Sequence, residues 1–134
     1  MKHYTVTVDD NKTIKWYKDG KLHREDGPAV EYADGIKEWY CSGKLHRGDD
    51  LPAVEYPNGD ASWWVHGLRH REKGPAVVDL YYGKEWYLNG EKLTKSQFDE
   101  CMTFENKAPR YLESSLDGTT IEIYGKKYKL QEIQ

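Results

Sequence analysis

Only two cysteines, Cys41 and Cys101, occur in 134 residues. They are too few and too far apart for a disulfide-stapled scaffold or a four-ligand zinc site. No apolar run approaches the roughly 20 residues of a membrane-spanning helix, and the opening MKHYTVTV lacks the layout of a signal peptide. A cytoplasmic protein with free thiols is expected. Neither sign of charge dominates: the net charge of −3 excludes a general binder of duplex DNA or of an anionic membrane. Neither a G-x-S-x-G, a P-loop nor a G-x-G-x-x-G is present, and neither cysteine has a Cys-His context. Neither an enzyme nor a cofactor is therefore expected. His66 and His70 flank a turn without a third ligand, so no metal is expected either.

Aliphatic side chains are also scarce, with 37% hydrophobic residues against 32% charged. What stands in their place is aromatic: Trp 5 and Tyr 11. Each large ring buries on the order of 150–250 Å², enough to replace missing leucine and isoleucine.

These rings are spaced regularly. Trp16, Trp39, Trp63 and Trp86 recur at intervals of 23, 24 and 23 residues, and each is followed four positions later by Gly20, Gly43, Gly67 or Gly90. After the first three glycines come His23-Arg24, His46-Arg47 and His70-Arg71, then GPAV, LPAV and GPAV at Pro28, Pro52 and Pro75. A fixed period of this length marks stacked supersecondary units. They fall near residues 13–35, 36–59, 60–83 and 84–93. One extra residue lies between Arg47 and Pro52, as expected of a loop that tolerates insertion.

Within a unit the period is two. PAVEY and IKEWY are β-branched and aromatic, and ADG or PNG between them predicts a tight hairpin turn requiring positive φ. KDG, CSG, VHG and LNG mark a second turn leading into a short third segment. Alternation puts Trp39 and Tyr40 on opposite faces, giving each face an aromatic row. Residues 1–93 are thus read as an antiparallel β-meander. YTVTVDDNKTIK before Trp16 is a degenerate half-unit, and the fourth unit lacks His-Arg, so the array ends there.

Residues 94–134 differ. Thr94 with Gln97 three positions on is a capping-box pattern, opening a short helix whose apolar stripe is Phe98, Cys101 and Met102 with Phe104. KAPRYLESSLDG reads as a linker. TTIEIYGKKYKLQEI alternates around a turn at Gly125-Lys126, with Ile121, Ile123, Tyr128 and Leu130 on one side. The fold class expected is mainly β, a repetitive antiparallel meander closed by a short helix and a terminal β-hairpin.

The spelling W-Y-x-x-G-x-x-H-R-x-x-G-P-A across residues 13–93 resembles the MORN and MORN-variant repeats, above all those found in bacteriophage and giant-virus proteins. The resemblance implies a twisted meandering sheet, a virus-encoded origin (hence a host cytoplasm) and a scaffold or interaction role. Phosphoinositide binding is not carried over, because Trp-Tyr and His-Arg displace the usual Y-x-G.

The function expected is a non-enzymatic protein-interaction module, a phage-encoded inhibitor or neutraliser of a host defence or toxin protein. The partner-binding candidates are Trp39, Trp63, Trp64, Arg47, Arg69, His70 and Arg71, since tryptophan and arginine anchor most interfaces. Two competing uses of the same residues are a nucleotide-sequestering site, with rings and arginines holding base and phosphates, and a virion component. A structural use is also open, each arginine pairing with Asp26, Asp49 or Glu72 and each histidine bonding loop carbonyls. Lys73 replaces the acid found at Asp26, which makes the third unit the place for a net positive site. Open sheet edges, YTVTV among them, leave room for a homodimer.

Overall fold

A computed structural model describes residues 3–106, 120–123 and 126–129. The chain divides into two compact units, Met1–Lys92 and Leu93–Gln134. The larger is an antiparallel β structure. Its strands are β1 (Thr5–Val8), β2 (Ile14–Lys18), β3 (Lys21–Leu22), β4 (Val30–Glu31), β5 (Lys37–Glu38), β6 (Tyr40–Cys41) and β7 (Lys44–Leu45). They continue with β8 (Val54–Glu55), β9 (Ala61–Ser62), β10 (Trp64–Val65), β11 (Leu68–Arg69), β12 (Val77–Asp79), β13 (Gly83–Leu88) and β14 (Glu91–Leu93). The main sheet runs β1-β2-β4-β5-β8-β9-β12-β13-β14, with β3 attached to β2, while β6-β7 and β10-β11 form separate two-stranded hairpins.

The expected single strand IKEWY is therefore broken in the middle units, and the break falls on tryptophan. Trp39 lies between β5 and β6, and Trp63 between β9 and β10. The backbone of each tryptophan serves two ladders at once. Its N–H donates to the buried alanine of PAV, at 2.7 Å for Trp16–Ala29, Trp39–Ala53 and Trp63–Ala76. Its carbonyl accepts from His23, His46 or His70, at 3.0, 3.0 and 3.1 Å. A residue so bonded belongs to the main sheet by its amide and to the side hairpin by its oxygen.

The alanines explain why so little aliphatic material suffices. Ala29, Ala53 and Ala76 are 0% exposed, and Val30, Val54 and Leu88 complete the buried apolar residues described in this unit. No larger side chain than Val30 is fully buried among the described residues. Close approach of backbones, with half-buried rings around it, takes the place of a thick core.

The two turn classes are distinct, and ADG and PNG form hairpin turns with positive φ at glycine, as expected. In β4-β5 the register pairs Glu31 with Lys37, and Tyr32 N–H donates to the Ile36 carbonyl. The loop is thus three residues, with positive φ at Gly35 alone and the Ile36 N–H held by Asp34 Oδ1. The true two-residue turns are the second class. Positive φ falls on both members of Asp19-Gly20, Ser42-Gly43, His66-Gly67 and Asn89-Gly90, the mirror-image geometry that fits the twist of a hairpin.

In the smaller unit α1 spans Lys95–Asn106. Its N-terminus forms the expected reciprocal box: Gln97 N–H donates to Thr94 Oγ1 at 3.1 Å and Thr94 N–H to Gln97 Oε1 at 2.9 Å. Leu93, Phe98 and Cys101 are buried. Strands β15 (Thr120–Ile123) and β16 (Lys126–Lys129) pair with Ile123 opposite Lys126. Lys126 thus belongs to a strand and not to the expected turn. The linker segment, Leu130 and the Phe104 side chain lie outside the described residues.

Candidate interaction groove in the third unit

Each arginine of the His-Arg pairs is clamped by its own unit. Arg24, Arg47 and Arg71 lie 3.9, 3.7 and 3.9 Å from the ring centroids of Trp16, Trp39 and Trp63. Each also donates to the proline carbonyl that opens the next strand, at Pro28, Pro52 and Pro75. A stacked guanidinium contributes about 0.5–2 kcal/mol, depending on desolvation. Its planar fork also meets the proline carbonyl, a geometry a lysine could not reproduce.

The carboxylate partners differ between units. Arg24 Nε bonds Asp26 at 3.0 Å, the expected local pair. Arg47 instead takes Glu55 at 2.8 Å. Arg71 takes Asp50 from the preceding unit, Nε to Oδ1 at 2.9 Å and Nη2 to Oδ2 at 3.2 Å. Asp49 and Glu72 are thus not the partners expected for Arg47 and Arg71. The extra residue of the second unit lies in the same loop, where Asp49 and Asp50 both adopt positive φ. That loop is not a neutral insertion: Asp50 also receives the Trp63 indole N–H on its carbonyl at 3.0 Å. The Arg71 guanidinium holds the Asp50 carboxyl below the usual range.

The histidines are acceptors, not donors to loop carbonyls. Nδ1 of His23, His46 and His70 takes the backbone N–H of Ser42, His66 and Asn89, at 3.0, 3.1 and 2.9 Å. The same turns give a second bond backward, from the Gly43, Gly67 and Gly90 amides to Leu22, Leu45 and Arg69 carbonyls, each at 2.8 Å. Each side hairpin is thereby stapled to the next. His46 also stacks on His66, ring centroids 4.3 Å apart. Burial, then the His66 charge, lowers its proton affinity.

Five of the seven candidate residues line one open groove of about 520 Å³: Arg47, Trp63, Trp64, His70 and Arg71, with Asp49, Asp50, Glu72 and Lys73 on its walls. Trp39 is absent from that lining and supports Arg47 by stacking. Arg69 stands where the other units have Leu22 and Leu45, placed between the Trp64 and Tyr87 rings at 5.1 and 5.3 Å. The groove is electrically mixed. Arg47 and Arg71 are already paired, so the net positive site expected near Lys73 does not follow from them. Among the described residues no group of three or more histidines, cysteines or acids is arranged for a metal. No helix among them is long and apolar enough to cross a membrane.

In the sequence the loop between β12 and β13 shows only as drift, with Tyr82-Gly83 replacing Asp-Gly one position later, and its exposure was not expected. Leu80, Tyr81 and Tyr82 are 69, 86 and 85% exposed. Their backbone is held by carboxylates: Leu80 N–H on Asp60 Oδ1 at 2.8 Å, Tyr81 and Tyr82 N–H on Asp79 Oδ1 at 2.8 and 2.7 Å. The available signal was the loss of Asp-Gly at that turn, which reads as drift unless solvent exposure is considered.

No protein-family model, curated protein or solved structure matches the chain.

Proposed function

We propose that the chain is a non-enzymatic protein-interaction module and that the groove of the third unit receives its partner. In the setting that the MORN-like resemblance implies, it is a phage-encoded inhibitor of a host protein. The observation that carries the reading is the groove's composition: two indoles flanked by cations and by carboxylates. Half-buried tryptophans beside arginine are the usual anchors of a protein interface, and interleaved charges suit the mixed polar groups of a protein surface. A nucleotide fits less well. Its phosphates would meet Asp49, Asp50 and Glu72, and the arginines nearest to it are engaged by Glu55 and Asp50. Carboxylates lining the same groove repel a phosphate and disfavour such a ligand.

The test is affinity capture with wild type, Trp64→Ala and Lys73→Glu, followed by titration of the captured protein. A partner held by wild type and lost with both variants is the expected result. A partner retained equally by all three places the contact elsewhere. A nucleotide that raises the melting temperature of wild type but not of Trp64→Ala overturns the protein-partner reading in favour of a sequestering site.

A further inference from the structure

Strand β1 ends the main sheet, and its outward edge carries no strand among the described residues. Its register pairs Thr5 with Tyr17, Val6 with Trp16, Thr7 with Lys15 and Val8 with Ile14. The Trp16 N–H is engaged on the far side of β2, with Ala29. Bonded and non-bonded pairs alternate along an antiparallel ladder, so Val6 and Val8 occupy non-bonded positions against β2. Their own N–H and C=O groups therefore point outward. Among the described residues this edge is unguarded. Natural edges are blunted by charge, proline or bulges, yet Thr5–Val8 has no charged residue, no proline and a continuous register. Val6 and Val8 are also 46 and 62% exposed in a chain short of aliphatics. At the other end of the order, β14 carries Glu91 and Lys92.

We propose that β1 pairs antiparallel with β1 of a second copy, joining two sheets through a two-fold axis at Val6. This register sets Val6 against Val6, Thr5 against Thr7 and Tyr4 against Val8. Tyr4 is already braced, edge-on to Trp16 at 5.6 Å and over His23 at 6.5 Å. The charges favour the same arrangement. In this register His3 meets Asp9, whereas a parallel approach would set like ends together. An isologous contact of this kind closes on itself and does not propagate.

Light scattering over a wide concentration range is the experiment. Wild type should reach twice the chain mass. Val6→Pro removes only the outward N–H, because the bonds to β2 run through Thr5 and Thr7. Val8→Lys places a charge on the edge. Both should remain monomeric with unchanged circular dichroism, and the Val6 and Val8 amides of wild type should exchange more slowly as concentration rises. Trp64→Ala should dimerise as wild type does, so this result stands apart from the fate of the groove. Wild type monomeric at every concentration overturns the proposal, as does a dimer that survives in Val6→Pro/Val8→Lys.

Discussion

In the first unit Arg24 takes its carboxylate from Asp26, two residues along; in the third, Arg71 takes Asp50 from twenty-one residues back. Lys73 stands where Asp26 would be, so the local pair is impossible there. The two pairs also differ in setting, with the side chain of Asp26 80% exposed and that of Asp50 27%. The same arginine-on-tryptophan clamp is thus closed once by a solvated neighbour and once by a shielded, two-bonded residue of another unit. A conserved-looking spelling can hide a change from a bond within a unit to a bond between units.

The largest effect that would test this contrast is loss of the arginines themselves. Arg71→Ala should cost about 2–3 kcal/mol and Arg24→Ala about 1–2, since only the former strands a shielded carboxylate. Urea unfolding of both variants measures the difference, and equal costs would erase it. Next, a double-mutant cycle on Asp50 and Arg71 should give a coupling of about 1–2 kcal/mol. The same cycle on Asp26 and Arg24 should give only about 0.2–1 kcal/mol, as for exposed pairs. Lys73→Asp should restore the local arrangement, so that Asp50→Ala costs less in that background than in wild type.

The smallest effect concerns the second unit. Gly48 occupies the position where Glu25 and Glu72 lie 3.5 and 3.4 Å from His23 and His70, leaving His46 against His66. Its affinity for a proton is lowered by burial, so the unfolded chain binds that proton first as pH falls. Stability is therefore intact above the ordinary histidine range and declines below it, by about 1 kcal/mol or less. His46→Asn keeps an acceptor for the His66 amide without titrating, and should flatten the dependence of the urea midpoint between neutral and mildly acidic pH. Coincident profiles for variant and wild type would refute this account of His46.

Much of the fold was legible because it is written in local rules. Trp39 and Trp63 recur at matching offsets from glycine and Pro-Ala-Val, and Thr94 with Gln97 names a helix start by itself. What escaped the sequence is whatever joins residues far apart. The tryptophan amide and carbonyl bind different partners, so a period-two pattern runs straight through a strand that in fact divides. Asp50 looked like surplus loop because its arginine lies a full unit onward. His23, His46 and His70 could have donated or accepted; only the position of the next turn's amide decides. The turns at Gly35 and Gly59 carry the Asp-Gly or Asn-Gly spelling of a two-residue hairpin, yet Tyr32 and Tyr56 pair one step further out.

The imidazole staple also gives the chain a direction. Each of the first three units accepts an amide from the turn after it, and the turns of the second, third and fourth units each supply one to the unit before. A copied segment of one full period could slot between two others and find both counterparts waiting, so lengthening by whole periods asks for no new chemistry. Lys92-Leu93-Thr94 stands where Leu-His-Arg would otherwise come around again. That change of spelling offers no ring nitrogen to a successor, and growth of the ladder stops at that point.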